Sequence, residues 1–444
     1  MSSVQPGTGT DADDRARIVL VTDAELLSAV AVIRSLGRAG WHVVAVTRGP
    51  HAPGLRSRYA HSTVVLPAGG VAAEEAEALL DAVLRFRVGV LIPVTDQTLL
   101  VLDRIRDRLP PWCTVATADP VAVRATQDKV TTLALAAELG IPVPESVVVR
   151  TAPDPAVTAG SLGWPVVVKP RFSRVPLAGG DIARCTTGYA HDANELTAAI
   201  AAQPPDSSTL LQRYHAGEAY GLCLLTVAGR PLSAFSHHRL REVPPSGGVS
   251  ALRESVPLDP QLDGYARALL ERLGWTGLAM VEFKVDAGRP LLMEINGRIW
   301  GSLPLATRSG MDFPRQLAEL FRAGVPDDTG TSAEADGHAA PVDVAYRIGV
   351  RSRQLRLELD WIEAVLRRRD QPPVGPPLPR SAAIRAALSL LQPGIGYDGV
   401  ALDDLRPAFT DLGITIRQYR QRAARLRSVP DAVDAETRGH TVAP

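Results

Sequence analysis

Two runs of alternating residues on either side of a short turn constrain this chain more than any other feature. Met280-Val-Glu-Phe-Lys-Val-Asp286 and Leu291-Leu-Met-Glu-Ile-Asn296 flank Asp286-Ala-Gly-Arg-Pro290 and predict a β-hairpin. Side chains alternate across a strand, so Val281, Phe283 and Val285 are expected to share an apolar face with Leu291, Met293 and Ile295. The opposite face collects Glu282, Lys284, Glu294 and Asn296. A hairpin symmetric about Gly288 sets Glu282 directly across from Glu294, and facing like charges destabilise a strand pair. Two carboxylates and an amide oxygen are hard ligands suited to Mg²⁺, which completes its octahedron with water and substrate phosphates. The alternative is a solvated polar face on which Lys284 pairs with one glutamate.

Lysine is scarce: Lys129, Lys169 and Lys284 stand alone among 48 basic side chains. An ammonium is a compact point charge and a guanidinium a planar fork, so each lysine is a candidate contact to a small anion. Basic and acidic residues balance at 48 each with arginine spread along the chain, which gives no electrostatic signature of nucleic-acid binding. With 444 residues, 45% of them hydrophobic, the chain can bury a substantial core in two to four domains. No apolar run reaches the roughly 18 residues of a membrane span, and the first residues are polar, so the expected compartment is the cytoplasm. Cys113, Cys185 and Cys223 are far apart, without the spacing of a disulfide framework or a structural zinc site.

Residues 1–15 read as a disordered tail. Arg17 to Thr22 reads as a buried strand, Leu26 to Ala39 as a helix ending at Gly40, and His42 to Thr47 as a second strand. Further strands at Ser62 to Leu66, Val88 to Pro93 and Thr114 to Ala116 alternate with helices over 72–86 and 97–108, so residues 16–120 are expected to be Rossmann-like. A dinucleotide site would need G-x-G-x-x-G after the first strand; Thr22-Asp23-Ala24-Glu25 instead puts two carboxylates where phosphate would lie. One helix is expected from Val121 to Leu139, then strands at Ser146 to Arg150 and Val166 to Lys169 and a loop from Arg171 to Thr187. Residues 327–341 read as a loop, the extension over 326–428 as mostly helical, and 429–444 as a polar tail.

The run MEINGRIWGS at 293–302, with MVEFK at 280–284, resembles the metal-binding end of the ATP-grasp ligases. Asp128-Lys129 leading into LGIPVPES at 139–146, VVVKP at 166–170 and LLQRYHAGEAYG at 210–221 follow in that family's order. The block HHRLREVPPSGGVSALRES at 237–255 is similar to a bacterial subgroup of carboxylate-amine ligases that includes D-aspartate ligase. The resemblance spans residues 17–322. It implies an α/β ATP-grasp fold with a Rossmann-like N-terminal domain, a two-part α+β nucleotide clamp over 121–325 and a mostly helical C-terminal extension. The small subdomain of the clamp would cover 140–209 and the large one 210–325.

By that resemblance Lys129, Lys169 and Ser173 contact the phosphates of ATP, Gln212, Arg213, Tyr214 and His215 hold adenine largely through backbone groups, and Glu218 holds the ribose. Glu282, Glu294 and Asn296 hold Mg²⁺, with Mn²⁺ as a substitute, and Arg298 stabilises charge on the transferred phosphoryl group. Lys284 serves either as a phosphate contact or as an ion-pair partner. Arg239, Arg241 and Arg253 either grip a substrate carboxylate bidentately or pair with Glu242 and Glu254. His237 and His238 are adjacent and so point to opposite faces of a strand, which prevents them from sharing a metal. Two departures from the family stand out: the loop Arg171 to Gly180 is poorer in Gly and Ser, and Gln212 or Arg213 stands where an acidic hinge residue is common. The implied reaction is attack of a carboxylate on the γ-phosphate, giving an acyl phosphate and ADP, followed by amide formation with an amine. The partners are then a small carboxylate and a small amine, without nucleic acid or membrane, and a homodimer is compatible. The alternatives are capture of bicarbonate or a thiol by the same fold, or a nucleotide-binding regulator without turnover.

Overall fold

The computed structural model describes residues 17–67, 71–150, 161–177, 179–204, 207–325 and 345–427. The expected tails at 1–15 and 429–444 and the expected loop at 327–341 lie outside these residues. Strands β1 (Ile18–Val21), β2 (His42–Thr47), β3 (Ser62–Val65), β4 (Val90–Ile92) and β5 (Thr114–Val115) form a parallel sheet in the order β3-β2-β1-β4-β5. The near-continuous apolar strands β1, β2 and β4 are what a sheet covered on both faces requires. Helix α1 (Leu27–Arg38) is buried along most of its length and lies against one face, while α2 (Ala72–Phe86) and α3 (Asp96–Leu102) belong to the core on the other.

The expected helix over 121–139 is two helices, α4 (Pro120–Gln127) and α5 (Lys129–Glu138). Asp128 between them has extended backbone angles and its carboxylate accepts from the Val130 amide, so it ends one helix and caps the next. A four-stranded sheet follows, built from β6 (Ser146–Val149), β7 (Val166–Pro170), β10 (Gly188–Ala190) and β11 (Thr209–Arg213), with α6 (Ala193–Ala201) on its apolar side. Within the expected loop at 171–187, β8 (Arg174–Pro176) and β9 (Ile182–Arg184) pair as a small antiparallel hairpin.

A seven-stranded sheet dominates the rest: β12 (Glu218–Val227), β13 (Arg230–Val243), β14 (Val249–Val256), β15 (Gly277–Asp286) and β16 (Arg289–Asn296), joined by β17 (Arg351–Arg353) and β18 (Ile395–Tyr397). One face packs against α7 (Pro260–Arg272), α4 and α5 through Leu222, Val281, Phe283 and Trp275. Part of the other face, with Cys223, Phe235 and Met280, shares one apolar core with α1, α8 (Leu303–Ser309) and α9 (Phe313–Ala323). The parallel sheet is thereby fixed against the seven-stranded one. Helices α10 (Leu355–Leu366), α11 (Arg380–Ser389) and α12 (Arg406–Arg427) make the C-terminal region mostly helical, but β17 and β18 also extend the large sheet at its β14 edge.

Candidate active site

Strands β15 and β16 form the predicted hairpin, turning at Ala287 and Gly288, both with positive φ as a tight two-residue turn demands. Glu282 pairs directly with Glu294, as the alternation required. A bulge then shifts the register so that Phe283 faces Leu292. The apolar face is therefore Val281, Phe283, Leu292 and Ile295, and the expected places of Leu291 and Met293 on it are corrected by the extra residue at the bulge.

The facing carboxylates are bridged by Asn296, whose Nδ2 donates to Glu282 at 2.9 Å and to Glu294 at 3.1 Å. Arg239 on β13 forms an ion pair with Glu282. Burial pushes the Glu282 carboxyl up; Arg239 opposes this and Glu294 adds to it. Burial also disfavours the Glu294 carboxylate, but Lys129 and Lys169 outweigh it and hold its carboxyl below the ordinary range. Like charges at close range push two titrations apart in this way. Gly221 and Gly297 are imposed by close approach: a Cβ at Gly221 would lie 2.3 Å from the His237 ring, and one at Gly297 would lie 2.4 Å from Trp275. His237 itself is fully buried with its imidazole pushed towards the neutral form by burial, and its Nε2 lies 3.2 Å from Ser302 Oγ.

Both upstream lysines converge on these carboxylates. Lys129 opens α5 and donates to Ser173 Oγ at 2.9 Å, while Arg171 binds Asp128 through two hydrogen bonds and so ties the β7–β8 connection to that helix. Lys169 lies on the face of β7 opposite the buried Val166 and Val168. Burial pushes its ammonium down to about 8, against the pull of Glu294. A cavity of about 390 Å³ opens between these elements, lined among others by Lys129, Ser173, Arg174, Glu294, Asn296 and Asp96. Asp96, at the N-terminus of α3, accepts from Arg298 Nε at 2.9 Å; burial opposes its ionisation, but Arg298 holds its carboxyl below the usual range. Lys284 donates to the His215 carbonyl at 3.2 Å and lies 5.3 Å from the centre of the Tyr214 ring, so it joins the hinge instead of either glutamate.

At the hinge Gln212 is buried and donates to Ser146 Oγ at 3.1 Å. Tyr214 stands edge-on to Tyr189, and burial pushes the His215 imidazole down. Two expected substrate contacts, Arg241 and Arg253, are corrected by the fold, and Arg213 and Glu218 have side-chain partners of their own. The Arg213 guanidinium binds Glu145 and the Ser161 carbonyl, which leaves only its backbone for a ligand. The alternation of β12 places Glu218 with Tyr220 and His238 on the face opposite Glu282, where it accepts from the Tyr220 hydroxyl at 2.9 Å. Arg241 pairs with Glu358 and Arg253 with Asp398, both within buried ion pairs, so neither guanidinium is available to a substrate.

At the head of the parallel sheet Asp23 adopts a positive φ, and its carboxylate accepts from Thr22, Thr95, Thr98 and Arg48. The phosphate position of a dinucleotide fold is therefore filled by an anion already bonded. Asp96 escaped the sequence reading, although a carboxylate just past a parallel strand, next to the switch between β1 and β4, is a usable signal.

Residues 208–342 match the family described as ATP-grasp in the biosynthetic pathway with Ter operon. The formate-dependent phosphoribosylglycinamide formyltransferase of Synechococcus sp. strain RCC307 is 26% identical over 329 residues, covering 72% of this chain and 79% of that protein. Among solved structures, biotin carboxylase from Campylobacter jejuni superposes with a TM-score of 0.55 at 14% identity, covering 75% of this chain and 74% of that one. The L-amino acid ligase from Bacillus licheniformis gives 0.52 at 15% identity, covering 69% and 73%. The fold is the ATP-grasp fold, and the enzyme class is an ATP-dependent ligase.

Proposed function

We propose that this chain is a carboxylate-amine ligase that activates its acid as an acyl phosphate and releases ADP and phosphate. The observation that carries this reading is a cleft lined by Lys129, Glu294 and Asn296, with Glu282 bridged to Glu294 through Asn296 and the charges of Lys169 and Arg298 acting on the same carboxylates. Two carboxylates with one amide fit Mg²⁺, an ion that leaves most of its shell to water and phosphate. Glu282, Glu294 and Asn296 would hold it, and it would supply charge neutralisation at the phosphates. Lys129 and Lys169 hold the phosphates, the 212–215 hinge presents backbone groups to adenine, and Arg298, oriented by Asp96, faces the charge that develops in phosphoryl transfer. In this reading residues 16–120 shape the acid and amine site and 121–325 form the nucleotide clamp. The resemblance of residues 237–255 to the subgroup that includes D-aspartate ligase, with the fold shared with the L-amino acid ligase, makes an amino acid the first substrate to try.

An ADP-release screen over pairs of amino acids and small carboxylates, with and without Mg²⁺, tests this reading. Mg²⁺-dependent ADP formation that requires both an acid and an amine is expected. Release of AMP and pyrophosphate would exclude the acyl-phosphate route, and ADP release with bicarbonate in place of the amine pair would favour a carboxylase.

A pH dependence follows from Lys169. Its ammonium must be present to hold phosphate, and in the free protein it titrates at about 8. Bound phosphate raises that value, so MgADP affinity is expected to be level below pH 7 and to weaken above pH 8, by up to ~10-fold per pH unit. Lys169→Arg should level the profile, because a guanidinium stays protonated over this range. Calorimetric titration from pH 7 to 9.5 measures both. An equally steep decline in the arginine variant would assign the titration to another group.

A further inference from the structure

The hairpin formed by β8 and β9 carries a second pair of facing like charges. Arg174 and Arg184 occupy one cross-strand rung, and neither guanidinium makes a hydrogen bond or an ion pair among the described residues. That is the cationic counterpart of Glu282 and Glu294, and facing like charges again destabilise the pairing unless something of opposite sign is shared. Arg174 lines the cavity together with Lys129, Ser173, Glu294 and Asn296. The hairpin is held in place: the Ala72 amide donates to the Gly180 carbonyl at 3.1 Å, the Cys185 amide donates to the Ser173 carbonyl at 3.1 Å, and Ile182 packs on the core of the parallel sheet.

We propose that Arg174, supported by Arg184, grips the terminal phosphoryl group of ATP as a second cationic arm beside Arg298. The inference rests on ATP occupying this cleft. Its physical basis is the mismatch between a partly buried guanidinium, unpaired among the described residues and carried on a tethered hairpin, and its surroundings. Burial and the charges of Arg184 and Arg48 disfavour the Arg174 cation, and Asp96 and Asp23 only partly compensate. A phosphoryl oxygen supplies the missing acceptor and charge. Arginine suits this task because its fork can bind two oxygens of one group. The departure from a Gly- and Ser-rich loop then has a use: where backbone amides are fewer, a side chain takes the anion.

The test compares MgADP with the magnesium complex of the imido analogue of ATP, using calorimetry on the full chain. Arg174→Gln should weaken the analogue by ~10–100-fold, the worth of one hydrogen bond to a charged group, and change MgADP by less than about twofold. Arg174→Lys should recover part of the loss, and Arg184→Gln should give a smaller one. Melting curves establish that the variants are folded. An unchanged analogue affinity, or equal losses for both nucleotides, would overturn the assignment to the terminal group. If the unaltered protein binds neither nucleotide, the ATP reading itself fails, a result distinct from a failure of Arg174.

Discussion

Glu294→Gln is expected to abolish measurable ADP formation while the protein stays folded. The substitution keeps the size of the side chain and an oxygen able to accept from Asn296, but removes the charge that faces Glu282. Repulsion across that rung is relieved, so the free variant should show no large loss in melting temperature. What is lost is the negative charge that attracts a divalent cation, and with it roughly 3–4 kcal/mol of electrostatic stabilisation, more than 100-fold in rate. A second consequence reaches Lys169, whose ammonium is sustained by Glu294 and should titrate lower in the variant. The readouts are ADP release with the substrate pair found by screening, and the Mg²⁺ concentration needed for nucleotide binding, which should rise sharply. Turnover near that of the unaltered protein, or an unchanged Mg²⁺ requirement, would remove Glu294 from the metal site.

The carboxylate pair was legible because it is written in a period of two residues, and the strand pairing preserved the period from Met280 to Glu282. The bulge was not, since one extra residue at Met293 leaves the alternation almost intact while reversing which side chains face the core. Asp128 is a similar case: apolar periodicity runs through it, yet its capping carboxylate and its bonds to Arg171 divide one helix into two. Strands β17 and β18 have three residues each, too short to show a pattern, and they exist because β14 offers an edge to β17 and β17 offers one to β18. The pairing of Arg298 with Asp96 spans 202 residues, and no local property of either residue announces it. Charged side chains were therefore easy to nominate and hard to assign. Arg239, Arg241 and Arg253 read alike in the sequence, but one faces Glu282 and two are held in ion pairs with the C-terminal region.

Asp398→Ala should destabilise the protein by ~3–5 kcal/mol, because it leaves the Arg253 guanidinium buried without its counter-charge. Arg253 is 1% exposed, and its neighbour Arg353, at 0%, has Glu358 at 3.5 Å and donates to Ser389 Oγ at 3.3 Å. An unpaired cation there cannot be solvated without opening the seam between β14 and the β17–β18 edge, so early proteolysis after Arg351 is expected along with a lower melting temperature. Replacing both partners by apolar groups, as in Arg253→Met with Asp398→Leu, should recover most of the stability, since a buried pair costs nearly as much desolvation as it returns. The double variant also decides the role of Arg253. As a structural cation it is dispensable once the seam is repacked, and the Michaelis constant for the acid should stay within about threefold, under 1 kcal/mol. As a substrate contact it would be missed whatever the stability. Arg253 sits on the same rung as Arg239, which pairs with Glu282, so the single Asp398→Ala variant should lose Mg²⁺-dependent nucleotide binding as well as stability, and the double variant should regain both.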